Sequence, residues 1–173
     1  MRPGRRGPAI PGRSRLAALL LAAILLPAGI PADRVRAEPG GGVRIVAVEG
    51  AFEDVAAYVA DAIVNRGLVI DYRGHIGRML KRTGADAGSA KPLYRDAQFF
   101  QFCSAVWSRR TMEADPRNIA YCPYVVFVYE LAAKPGLVHV GYRRPSPTGP
   151  APSRKALAAV DRLLDAIVRE ATE

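Results

Sequence analysis

Residues 124–142, YVVFVYELAAKPGLVHVGY, decide the fold of this chain. Residues 124–131 and 137–142 are rich in β-branched and aromatic side chains, which are typical of β-strands. The turn-forming residues Lys134, Pro135 and Gly136 lie between them, so the two segments are predicted to form a hairpin. A hairpin joins antiparallel strands, and the chain also lacks a glycine-rich turn between a strand and a helix. Both observations favour an antiparallel sheet over a doubly wound parallel one.

The segments around this hairpin predict an α+β fold. Three further strands are predicted from short β-branched or aromatic runs at residues 43–48, 68–72 and 98–103. Helices are predicted from apolar residues that recur every three or four positions, at residues 52–66, 75–83, 104–114 and 154–171. The order predicts a single antiparallel sheet with helices mainly on one face. Its core is β-α-β-β-β-β-α, with inserted short helices.

Residues 1–37 have the three parts of a secretory signal peptide. Residues 1–15 are basic, residues 16–26 form an unbroken apolar run of eleven, and Val35-Arg36-Ala37 offers small residues at a cleavage site. A transmembrane helix needs about 20 apolar residues, roughly twice this run. The leader therefore predicts cleavage after Ala37, a periplasmic or secreted protein, and no transmembrane segment in the mature chain. An uncleaved anchor is the alternative.

The mature chain is predicted to contain one domain. Residues 38–42 are a flexible lead-in, and residues 43–144 form the α+β core domain. Residues 145–152, PSPTGPAP, are a linker of Pro and Gly residues. Residues 153–173 form an amphipathic helix, whose apolar stripe is centred on Leu164 and is expected to pack on the core.

The charge of the chain lies mostly in the leader. Residues 1–37 contain seven Arg and one Asp, so they carry six of the nine net positive charges. The remainder keeps only three, which gives the domain no special affinity for a polyanion. We therefore expect no nucleic-acid partner.

One set of motifs resembles the domain of unknown function 302 family. In that family a strand delivers a Cys-containing turn, a short helix follows, and a Pro opens a strand of the form Pro-x-x-Val-x-Val-Tyr-Glu. Cys103 and residues 123–130, PYVVFVYE, match these places, and the resemblance covers residues 43–143. It implies a small α+β domain similar to the TATA-box-binding-protein topology, often found as a dimer, and it implies no activity. The topology alone does not imply DNA binding.

Cys103 and Cys122 are the only cysteines, and three interpretations remain open. An oxidising compartment favours a structural disulfide. A thiol-redox or sulfur-handling pair is the second interpretation, because the helix predicted after Cys103 would lower the pKa of its thiol. The third is two separate buried thiols.

Two other groups are candidate binding residues. His75 and Met79 are four residues apart on a predicted helix, so they could share a face and contact haem iron or copper. Arg109 and Arg143 are candidates for an anion-binding patch. No cofactor is firmly implied.

The sequence contains no complete catalytic set. A Gly-x-Ser-x-Gly elbow, a phosphate loop, a dinucleotide fingerprint and zinc-ligand spacing are all missing. The sequence therefore favours a non-enzymatic module that binds a small ligand or a partner protein and forms a homodimer. The alternatives are a thiol-redox or sulfur-handling protein that uses Cys103 and Cys122, and a haem or copper binder.

Overall fold

The hairpin lies inside a five-stranded antiparallel sheet. A computed structural model describes residues 42–89, 91–147 and 149–173. The strands are β1 (Val43–Glu49), β2 (Val69–Gly74), β3 (Tyr94–Cys103), β4 (Tyr124–Leu131) and β5 (Leu137–Arg143). Their spatial order is β1-β5-β4-β3-β2, and every neighbouring pair is antiparallel. The predicted α+β fold with a single antiparallel sheet is confirmed.

The described part of the chain also contains four α-helices and one 3₁₀ helix. They are α1 (Phe52–Val64), α2 (Ile76–Thr83), α3 (Ala105–Ala114), the 3₁₀ helix Pro116–Tyr121 and α4 (Ala151–Glu170). Helices α1, α3 and α4 lie on one face of the sheet, called here the helix face. Helix α2 lies against β3, and a Cβ atom at Gly77 would be only 2.7 Å from the Ala97 nitrogen.

The core lies between the helix face and helices α1 and α4. The sheet contributes alternate residues of its inner strands, which are Phe100, Phe102, Tyr124, Val126, Val128, Val138, Val140 and Tyr142. Helix α1 contributes Val59 and Ile63, and α4 contributes Val160, Leu164 and Ile167. Each large apolar side chain buried in this way stabilises the fold by about 1.5–3 kcal/mol.

Two elements begin three or more residues before their predicted starts. Strand β3 begins at Tyr94 instead of residue 98, because Tyr94 still pairs with Leu131 across a bulge. Helix α4 begins at Ala151, inside the predicted linker, where the buried Ser153 hydroxyl accepts a hydrogen bond from Asn118. The 3₁₀ helix was not predicted.

The predicted secretory signal, residues 1–37, lies outside the described residues. Within the described ranges, no helix is both long enough and apolar enough to cross a lipid bilayer. Helix α4 has 20 residues but is amphipathic, with Leu157, Leu164 and Ile167 buried on one side.

Candidate functional site

The sheet face opposite the helix face is called here the open face. Helices α1, α3 and α4 pack on the other side. Helix α2 contacts β3 near Ala97, at the edge of the sheet where β2 has ended. Residues paired across an antiparallel sheet point to the same face. The register therefore gives the open face two central rows: Ile45, Gly141, Phe127, Phe99 and Gly74, then Ala47, His139, Tyr129 and Ala97. Neither row contains Asp, Glu, Lys or Arg.

Two glycines let phenylalanine rings lie over the open face. A Cβ atom at Gly74 would overlap the Phe99 ring, and one at Gly141 would overlap the Phe127 ring. Because glycine has no side chain, each ring covers the backbone of the neighbouring strand. Each ring therefore adds apolar surface above the strand beside it.

The aromatic side chains of the open face are in mutual contact. The Tyr129 ring lies 5.5 Å from the Tyr94 ring and 6.2 Å from the Phe127 ring. It also stacks on the His139 ring at 4.6 Å. Such ring pairs contribute about 0.5–1.5 kcal/mol beyond their buried area, so they hold the surface in one arrangement.

Charged residues of the open face lie at its two ends. Arg143 pairs with Val43 at one end of β1, and Glu49 pairs with Leu137 at the other end. Both Arg143 and Glu49 are exposed. The face is thus apolar in its centre, with Arg143 at one end and Glu49 at the other.

Cys103 and Cys122 are brought together beside this sheet. Cys103 ends β3, Cys122 precedes β4, and their Sγ atoms are 2.8 Å apart. The Ser108 hydroxyl, one helical turn into α3, lies 3.5 Å from the Cys122 Sγ. Both cysteines are half-buried and free. The two predicted cysteines therefore belong to one site.

The pKa of Cys103 moves in the opposite direction to the one predicted from the helix that follows it. Burial raises the pKa of the Cys103 thiol to about 12, with further upward effects from Cys122 and Asp71. The N-terminus of α3 is capped by Ser104, which accepts a hydrogen bond from the Trp107 N–H. Burial and the second thiol thus outweigh the lowering effect of a backbone hydrogen bond with Tyr124, and Cys103 keeps its proton at neutral pH.

A cavity of about 190 Å³ lies next to Cys122. Its lining includes Cys122, Tyr121, Gln101 and Arg143, while Cys103 is not part of it. Burial raises the pKa of Tyr124, which also lines the cavity, so that this phenol stays neutral. The cavity therefore combines one thiol with one exposed positive charge.

The two predicted arginines are in different environments. Arg109 is exposed on α3, where its guanidinium donates to Glu113 at 3.0 Å. Arg143 lines the cavity at Cys122, whereas Arg109 does not. Only Arg143 thus lies beside a candidate site.

His75 and Met79 lie within one turn of each other. His75 precedes α2 as its N-cap residue, and its carbonyl accepts the Met79 N–H at 3.1 Å. The Met79 Sδ lies 3.8 Å from the Thr83 hydroxyl. Among the described residues, no three His, Cys, Asp or Glu side chains gather in a group that could hold a metal ion. A haem or copper role for His75 and Met79 stays a prediction.

A larger cavity, of about 450 Å³, lies at the start of α1 and was not predicted from the sequence. Its lining includes Glu53, Arg95, Asp96 and Glu130. The Glu130 side chain is buried, accepts the Gly136 N–H at 2.7 Å and lies 3.7 Å from the Arg95 guanidinium. The sequence signal for this cavity was Glu130, an acidic residue among the apolar residues of β4. Its carboxylate is already paired within the chain.

Comparisons with known proteins place the chain in a family. No curated protein matches it. The crystal structure of an uncharacterised conserved DUF302 protein from Bacillus stearothermophilus is similar, with a TM-score of 0.59 and 12% sequence identity. The similarity covers 74% of this chain and 96% of that one, and at this identity it supports the fold alone. The model of the family described as Domain of unknown function DUF302 matches residues 44–171. The chain therefore belongs to the DUF302 family.

Proposed function

We propose that the chain is a non-enzymatic binding module whose binding surface is the open face, and that this face binds a second copy of the chain. The observation that carries the proposal is the composition of the two central rows, which are apolar or aromatic and contain no Asp, Glu, Lys or Arg. Apolar sheet faces of this extent are stabilised when another apolar surface covers them.

The size of the open face agrees with a dimer interface. The sheet is five strands wide, at about 4.8 Å per strand, and about seven residues long, at about 3.3 Å per residue. Its flat area is therefore about 550 Å². Side-chain relief makes the accessible area larger than this. An interface of standard size buries about 800 Å² on each partner, which is the same range.

The charges at the ends of the face favour a second copy as the occupant. A two-fold axis between the two sheets, perpendicular to their strands, would place the Arg143 end of one face over the Glu49 end of the other. The same contact then occurs twice, as in other two-fold interfaces. The apolar rows would face each other, as in a β-sandwich.

The test is the oligomeric state of a variant with a charge in the central row. We expect light scattering after gel filtration to give a dimer for the wild-type chain and a monomer for Phe127→Asp. Tyr58→Asp is the matched control, because Tyr58 is 57% exposed on α1, on the other side of the sheet. A monomeric wild-type chain, or a dimer that Phe127→Asp leaves intact, would overturn the proposal.

The proposal includes export of the chain. It is supported by the basic segment, the apolar run at residues 16–26 and the small residues before Glu38. N-terminal sequencing of the protein recovered from the periplasm or medium of its host is expected to begin at Glu38. A sequence beginning at Met1 in the exported fraction would contradict cleavage.

A second candidate function is that of a redox-active dithiol, favoured by the 2.8 Å contact between the Cys103 and Cys122 Sγ atoms. A disulfide between them would close a loop of about twenty residues and stabilise the domain by about 3 kcal/mol. The midpoint of denaturant unfolding is therefore expected to fall when reductant is added. A Cys103→Ala and Cys122→Ala double variant should show no such response. A wild-type chain that gains no disulfide from an oxidising buffer would exclude this function.

A further inference from the structure

The environment of Cys122 differs from that of Cys103 in two ways. Cys122 lines the 190 Å³ cavity, whereas Cys103, with its Sγ 2.8 Å from the Cys122 Sγ, does not. Cys103 also keeps its proton, because burial raises the pKa of its thiol to about 12. The Cys122 Sγ lies within hydrogen-bond distance of the Cys103 Sγ, at 2.8 Å, and of the Ser108 hydroxyl, at 3.5 Å. Cys122 is therefore the thiol that a ligand in the cavity meets first.

We propose that the cavity beside Cys122 binds an anionic low-molecular-weight disulfide, with Cys122 as the attacking thiol and Cys103 as the resolving thiol. This inference rests on the second candidate function, the redox-active dithiol. Carboxylate groups are the ligand chemistry indicated here, because the Arg143 guanidinium is the charged group of the cavity lining and Gln101 adds an amide.

The reaction balances as two thiol–disulfide exchanges. The Cys122 thiolate attacks one sulfur of the small disulfide, so a mixed disulfide forms on Cys122 and one small thiolate leaves. The Cys103 thiol loses its proton to that thiolate, attacks the Cys122 sulfur and expels the second small thiolate. This thiolate takes up from solvent the proton that Cys122 released when its own thiolate formed. The protein dithiol is oxidised by two electrons to a disulfide, and the small disulfide is reduced to two thiols.

The first experiment identifies the attacking thiol with glutathione disulfide, which is anionic, as the probe. Intact mass is expected to show one stably bound glutathionyl group on Cys103→Ser, because Cys122 attacks and no resolving thiol is present. Cys122→Ser should be modified far more slowly, since Cys103 keeps its proton and is not part of the cavity lining. Equal modification of the two variants would overturn the assignment.

The second experiment tests the charge of the cavity by comparing glutathione disulfide with cystamine, a cationic disulfide. Arg143→Gln is expected to slow oxidation by glutathione disulfide about fivefold relative to oxidation by cystamine. Arg109→Gln is the control, because Arg109 is exposed on α3 outside the cavity.

The outcomes separate this inference from the function on which it depends. If neither reagent oxidises the wild-type pair, the dithiol function itself fails. If both reagents oxidise it and Arg143→Gln leaves their ratio unchanged, the pair is redox-active but the anion site is wrong. Both variants should give the wild-type circular dichroism spectrum under reducing conditions, which excludes misfolding as the cause.

Discussion

The rings of Tyr129 and His139 are stacked on neighbouring strands, 4.6 Å apart and within 3° of parallel. The His139 side chain is only 8% exposed, and its Nδ1 atom has no hydrogen-bond partner among the described residues. Burial, with a smaller contribution from the charge of Lys134, lowers the pKa of His139 below its usual 6.5. The stack therefore places a neutral imidazole in the central rows of the open face.

Stability is expected to fall in acid because of His139. Its pKa is lower in the folded chain than in the unfolded one, so the unfolded chain binds the proton first. The free energy of unfolding should therefore decrease as the pH falls below about 6.5 and level off below the folded-state pKa. His139→Phe keeps a stacking ring without a titratable group, and denaturant melts between about pH 7 and pH 5 should show a smaller decrease. An unchanged decrease in this variant would contradict the assignment to His139.

Truncation of Leu164 tests the packing of α4. Leu164 is 2% exposed and lies in the cluster formed by the sheet, α1 and α4. We expect Leu164→Ala to lower the free energy of unfolding by about 2–5 kcal/mol, through lost burial and the remaining cavity. Arg162→Ala, at an exposed position of the same helix, should change it by less than about 0.5 kcal/mol. A loss below about 1 kcal/mol for Leu164→Ala would mean that α4 is only loosely attached.

Asn118 joins the 3₁₀ helix to α3 and α4. Its buried amide donates to the Thr111 carbonyl and to the Ser153 hydroxyl, both at 2.8 Å. Asn118→Ala leaves both acceptors buried without this donor, so we expect urea unfolding to show a loss of about 2 kcal/mol. Asn65→Ala, at an exposed position after α1, is the control. If the two variants are equally stable, the Asn118 bonds do not hold the start of α4.

The strands were predictable from the sequence, because hairpin, strand and helix patterns are local. The open face was not predictable, because residues 124–128 of β4 are all apolar or aromatic, on both sides of the strand. Such a strand resembles one that is buried on both faces. Only the register shows that Gly74 and Gly141 lie beneath the Phe99 and Phe127 rings.

The sequence left open whether Cys103 and Cys122 are in contact, because they are 19 positions apart in the chain. Their approach depends on β3 and β4 being antiparallel neighbours, with the end of one beside the start of the other. The direction of the pKa shift at Cys103 could not be obtained from the following helix alone. It depends on burial and on the neighbouring thiol, which are tertiary properties.

Exchanging the end charges tests the geometry of the proposed dimer. With the two-fold axis perpendicular to the strands, Glu49 of each copy lies near the Arg143 end of the other. Glu49→Arg or Arg143→Glu alone puts like charges together in two symmetric places, so each variant should weaken the dimer about five- to tenfold in sedimentation equilibrium. The double variant restores opposite charges and should recover wild-type affinity, whereas an axis parallel to the strands would bring equal ends together and give no recovery. Arg162→Glu, on exposed α4, is the control and should leave the dissociation constant unchanged.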